Sequence, residues 1–131
     1  MKTDIEIKDD IYYWIKDSEL AIAVNGSLSK TKRTEGSCKE DIVISVLANN
    51  NGQLQEAYVN VNVYVKDLER DGQAEEDTIR LRELCKIAEY TLKKGYKDDF
   101  RFMLESQRVY EVNGKREHMI NNRLLYKQVN D

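Results

Sequence analysis

Residues 58–65 constrain the fold more than any other stretch of this chain. Val59, Val61, Val63 and Val65 alternate with Tyr58, Asn60, Asn62 and Tyr64. A period of two places the valines on one face of an extended strand and the tyrosines and asparagines on the other. A helix would scatter both sets around its circumference, so the pattern calls for a sheet with one apolar and one polar face. The preceding stretch, Glu40 to Ala48, carries Ile42, Val43, Ile44, Val46 and Leu47 almost without interruption. That run predicts a strand covered on both faces or placed at the sheet centre. Asn49 to Gly52 supplies a hairpin turn, and Gln53 to Lys66 forms the returning strand.

Helical periodicity flanks this block. Ile7, Ile11, Trp14 and Ile15 form one stripe, predicting a helix over 4–18 with Thr3 or Asp4 as its cap. Residues 19–24 add a short helical turn that Asn25-Gly26 ends. Residues 27–33 read as a basic edge strand. A charged loop follows the hairpin over 67–76, with Asp71-Gly72 as its turn. A second long helix is expected over 75–94, with Leu81, Leu84, Cys85, Ile87, Ala88, Tyr90 and Leu92 on its apolar face and Gly95 just past its end. Two strands close the chain around Asn113-Gly114. Phe100, Phe102, Leu104 and Ser106 share one face of the first. His118, Ile120, Asn122, Leu124 and Tyr126 share one face of the second. Residues 128–131 are expected to fray. This order predicts a single α+β domain over 1–131: two amphipathic helices packed on one face of a largely antiparallel four- to five-stranded sheet.

Composition narrows the function classes. With 131 residues and a net charge of −3, the chain is not a general polyanion binder. No run of about 18 apolar residues occurs, so no membrane span is expected. The polar, acidic N-terminus does not resemble a secretory signal, and a cytoplasmic protein is expected. Cys38 and Cys85 are isolated and read as free thiols.

Chemistry-bearing constellations are weak. Glu40-Asp41 reads as a pair of hydrated charges at a strand start. Asp67, Glu69, Asp71 and Gly72 match the first, third, fifth and sixth positions of a calcium loop, but Thr78 stands where the closing glutamate belongs, so a solvated loop is the better reading. His118 is the single histidine and has no evident partner. No phosphate-cradling glycine motif occurs. No catalytic residue, cofactor or metal ligand is therefore assigned. Interface candidates are Tyr12 and Tyr13, which fall off the helical stripe; the basic cluster Lys30, Lys32 and Arg33; and the polar strand face Asn60, Asn62 and Tyr64.

Several of these segments coincide with one known pattern. They are the first helix with Ile11-Tyr12, the Asn25-Gly26 step into a basic strand, and Lys39-Glu40-Asp41-Ile42-Val43-Ile44. Gly52-Gln53-Leu54-Gln55, Val59-Asn60-Val61-Asn62-Val63-Tyr64-Val65 and Glu105-Ser106-Gln107 continue it. In these the chain resembles phage tail-terminator and tail-completion (head–tail joining) proteins, including relatives from prophages of Bacteroides-type bacteria. The resemblance implies a non-enzymatic virion protein that forms a homo-oligomeric ring, commonly a hexamer. It further implies that the ring ends the tail tube, joins it to head–tail connector proteins and lets DNA pass. The residues by themselves also leave open a small adaptor or binding module, and a nucleic-acid-binding protein using Lys30, Lys32, Arg33 and Lys39.

Overall fold

The computed structural model describes residues 1–52 and 54–128. Within these described residues three helices, α1 (Asp4–Ile15), α2 (Glu19–Ala23) and α3 (Thr78–Leu92), accompany eight strands. These are β1 (Leu28–Ser29), β2 (Ile42–Asn51), β3 (Gln55–Lys66), β4 (Leu68–Arg70), β5 (Gln73–Glu75), β6 (Lys94–Lys97), β7 (Phe100–Glu111) and β8 (Glu117–Gln128). Six of them form one sheet in the order β1-β2-β3-β8-β7-β6, and β4 and β5 form a separate hairpin. β1 runs parallel to β2, and every other neighbouring pair is antiparallel.

This architecture corrects the expected one. The chain is 45% strand and 25% helix, and its sheet is a six-stranded mixed half-barrel with a second, two-stranded sheet beside it. The expected four- to five-stranded sheet with two helices is not what forms. Three physical reasons account for the difference. The helical pattern through Lys93 and Lys94 conceals β6, which begins at Lys94 rather than continuing α3. The charged stretch after β3 hides a hairpin, because Asp71 and Gly72 both take positive φ (52° and 76°) and fold Leu68–Arg70 back on Gln73–Glu75. The two residues of β1 are too few for any periodicity, and only pairing to β2 defines them.

The helices form where their termini are satisfied. Thr3 caps α1 in a reciprocal capping box with Glu6. Ser18 caps α2 and Asp77 caps α3. Ile7, Ile11 and Ile15 are fully buried, as their spacing predicts. Tyr90, expected on the apolar face of α3, instead points outward. Gly95, expected as a helix stop, lies in β6, where an added Cβ would collide with the Phe102 ring and reach 2.8 Å from Trp14 Cζ2. The absent side chain lets β6 pass beside that aromatic pair, whose rings meet edge-on at 5.1 Å.

The alternation in β3 divides the two faces of the sheet. Val59, Val61, Val63 and Val65 join Ile42, Ile44, Ile120, Leu124, Leu81, Leu84 and Leu92 in the core. Each such burial contributes about 1.5–3 kcal/mol before chain entropy is counted. β2 is one-sided rather than doubly covered: Ile42 and Ile44 face the core, whereas Leu47 is exposed. A register shift between Val46 and Ala48 in β2, and another between Leu104 and Ser106 in β7, interrupt the ladders. The second shift inverts the expected facing of Ser106, which pairs with Arg123 on the outer face. It also turns Gln107 inward, where its Nε2 donates to Asn122 Oδ1 at 2.8 Å and to the Cys85 carbonyl at 2.9 Å. Asn122, fully buried, donates in turn to the Val61 carbonyl. Gln53, the first residue of the expected returning strand, and residues 129–131 of the expected frayed end lie outside the described residues.

Candidate functional site

The face of the sheet away from the helices carries the candidate site. Three adjacent strands build it by register. Asn62 stands opposite Asn121 of β8, Asn60 opposite Arg123, and Tyr58 opposite Leu125. Arg108 and Tyr110 of β7 extend these rows past Asn121 and Met119. The asparagines form a lateral ladder, with Asn121 Nδ2 donating to Asn62 Oδ1 at 2.7 Å and to Asn60 Oδ1 at 3.2 Å. Aromatic rings flank the ladder under cations. The Arg123 guanidinium lies 4.4 Å from the Tyr58 ring centroid, and that of Arg33 lies 4.3 Å from Tyr64. Arg123 Nε is covered but has no hydrogen-bond partner among the described residues; the Glu105 carboxylate stays 3.6 Å away. Leu47, Met103 and Tyr110, 57%, 54% and 44% exposed, lie toward the margins of the same face.

Arg33 is not part of an exposed basic cluster. Its side chain is largely covered, donating from Nε to Asp41 Oδ2 (2.7 Å), from Nη1 to Glu117 Oε1 (2.6 Å) and from Nη2 to the Lys39 carbonyl (2.7 Å). Burial opposes its charge, but the hydrogen bonds to Glu117 and Asp41 outweigh that and hold its pKa above the usual value. Asp41 is likewise opposed by burial, yet the Ser37 hydroxyl, the Ser27 N–H and Arg33 hold its carboxyl below the usual range. The Glu40-Asp41 pair is thus buried structure, not hydrated charge. Glu40 accepts from Arg80 Nε and Nη2 at 2.6 and 2.7 Å, clamping α3 to the start of β2.

The remaining candidates divide between two regions. Lys30 pairs with Asp9 at 2.8 Å and sits 4.9 Å above the half-buried Tyr12 ring. Tyr13 projects from α1, 61% exposed, edge-on to Tyr12. These three are joined on the α1 side, apart from the strand-face set. Lys32 and Lys39 are exposed, so the basic patch proposed for phosphate contact loses Arg33 and Lys30 to carboxylates.

His118 does have a partner: its Nδ1 lies 2.6 Å from the buried Asp67 carboxylate. Its Nε2 lies 3.7 Å from Glu76. The pair fastens the root of the β4–β5 hairpin to the start of β8. Among the described residues no group of three His, Cys, Asp or Glu side chains is placed to hold a metal. No helix there is long and apolar enough to cross a membrane.

Sequence reasoning missed the β7 and β8 contributions to the outer face. The signal was present, because alternation in β8 that sends Ile120, Asn122 and Leu124 inward must send Met119, Asn121, Arg123 and Leu125 outward. No family model matches the chain, and no curated protein matches it.

Proposed function

We propose that the chain is a non-enzymatic assembly subunit whose outer sheet face meets protein partners, further copies of itself first among them. One observation carries this reading. A sheet sealed on one side by three helices presents on the other side Tyr58, Tyr64, Tyr110, Met103, Met119 and Leu125 around an asparagine ladder; the Arg33 and Arg123 side chains lie over Tyr64 and Tyr58, and Met103 and Tyr110 are exposed. Tyrosine, methionine and arginine together are the residues that protein interfaces favour, and a contiguous face of this kind marks an interaction site. Arg33 and Lys30 being engaged by carboxylates counts against the nucleic-acid reading.

The resemblance to phage tail-terminator and head–tail joining proteins supports a narrower form. In it the subunits close into a ring, a hexamer if the family's common number holds, which ends the tail tube and leaves a passage for DNA. The protein is then made in the host cytoplasm and carried in the virion. Light scattering and negative-stain microscopy test the broad reading: a multi-subunit species that grows with concentration is expected. A strict monomer at millimolar concentration that also fails to cap tail tubes refutes it.

A further inference from the structure

The outer face has two ends of opposite chemistry. At the end where β8 finishes lies a groove of about 550 Å³. Lys93, Lys94, Arg101 and Lys127 rim it, and Met103 and Leu125, an opposed cross-strand pair, form its apolar floor. Among the described residues Lys93, Lys94 and Arg101 make no ion pair, and Lys127 only approaches Glu56, at 3.9 Å.

At the other end, where β8 begins, the β4–β5 hairpin leaves the sheet. Its six strand residues are all exposed, and β4 and β5 form ladder pairs only with each other. Glu69, Asp71, Glu75 and Glu76 stand there; exposed Glu75 pairs with Arg70 at 2.9 Å and Glu69 with Arg116 at 3.1 Å, Glu76 lies 3.7 Å from His118, and Asp71 makes no ion pair among the described residues. Leu68, exposed, lies opposite Glu75 and so shares its face. The hairpin is held as a fixed projection, not a loose loop. Asp67 N–H donates to the Arg116 carbonyl at 3.0 Å, His118 holds the Asp67 side chain, and Arg116 pairs with Glu69. About nine residues of β8 separate the two ends, or roughly 30 Å at strand rise.

The geometry points to a head-to-tail contact in which the acidic hairpin of one copy seats in the basic groove of the next, Leu68 meeting Met103 and Leu125 while Glu75 and Glu76 meet the rim cations. This rests on the assembly reading above and names the two surfaces that reading lacks. Charge and apolar complementarity choose a second copy as the occupant: the chain carries both halves of the match. Because each half lies at a different end, they cannot satisfy each other within one subunit. Contacts of this heterologous kind propagate until rotation closes them into a ring.

Charge reversal tests the contact on the full chain. The groove variant is Arg101→Glu with Lys127→Glu. The arm variant is Glu75→Lys with Glu76→Lys; Asp71 is left alone because its positive φ disfavours lysine. All four sites are exposed or half-exposed, so each variant keeps the wild-type melting temperature within a few degrees. Each alone is expected to raise the concentration of half-assembly at least about tenfold, as like charges meet across the contact. Mixed, the two variants should assemble again in alternation, since the native arm of one meets the native groove of the other and the lysine arm meets the glutamate groove at the next contact. The quadruple variant, with both charges exchanged, should assemble again. If both double variants assemble as wild type does, the contact is overturned while the assembly reading stands. If wild type itself stays monomeric under every condition, both fall together.

Discussion

The Arg33 guanidinium lies over the Tyr64 ring, 4.3 Å from its centroid, while its Nη1 donates to Glu117 at 2.6 Å. One side chain thereby ties the loop before β2 to the polar face of β3 and to the first residue of β8. Arg33 is only 11% exposed, and Asp41 and Glu117 are each 6% exposed, so removing the cation strands two covered carboxylates. Arg33→Met should cost about 3–5 kcal/mol in chemical denaturation. Arg33→Lys should recover only part of that, because an ammonium cannot bridge both acids and stack on the ring. Equal stability of Arg33→Met and wild type refutes this role.

The buried amide relay in the core makes a second prediction. Asn122→Ala deprives Gln107 Nε2 of one acceptor and the Val61 carbonyl of a donor. A loss of about 1–3 kcal/mol is expected. The double variant Asn122→Leu with Gln107→Leu should be less damaging than the sum of its parts, since no polar group is then stranded apart from the two backbone carbonyls. A double-mutant cycle by thermal or urea unfolding measures the coupling.

Gly95→Ala tests close packing. The new methyl meets the Phe102 ring and Trp14 with no room to spare. Overpacking of this kind costs about 1–3 kcal/mol. Gly114→Ala should also destabilise, for a different reason: open space surrounds that site, but its φ of 74° is strained for any residue with a Cβ. Trp14 fluorescence should shift in the first variant and stay unchanged in the second.

Acid and alkali should destabilise the fold through different groups. The Asp41 carboxyl sits below its ordinary value of 3.8 when folded, so the unfolded chain takes up a proton first as pH falls. The stability it lends is full above pH 3.8 and drains away as pH drops from there toward the lower folded value. Asp41→Asn should lose that stability at neutral pH and flatten the acid limb. Tyr126 is the reverse case. Burial first, then its hydrogen bond to Asp10, raises the phenol above its ordinary value of 10.0. The unfolded chain therefore ionises first, and stability falls as pH rises past 10. Tyr126→Phe should flatten that part of the alkaline limb, leaving the share from Lys2, whose raised pKa acts in the same direction above 10.5. Urea midpoints across pH check both limbs.

Much of the core was legible in the sequence because it depends on period. The isoleucines of α1 and the valines of β3 are buried where their spacing places them. What was not legible depends on partners far along the chain. Glu40 and Asp41 look hydrated until Arg80 and Arg33, from α3 and the preceding loop, arrive to pair with them. His118 looks solitary until Asp67, 51 residues earlier, is brought beside it. The polar face of β3 could be read from one strand, but its ladder needs Asn121 from β8. Ser106 was misassigned because a single extra residue in β7 reverses every facing beyond it.

The curl of the six-stranded sheet sets a limit on how that polar face can be used. A curled surface matches a flat neighbour over only part of its area, and the remainder of each surface diverges into water. Broad face-to-face stacking of two such subunits would bury little area. A second copy gains more by meeting that face at its two ends, where the acidic hairpin and the basic groove lie, so the curl itself favours neighbours joined end to end over neighbours stacked face on face.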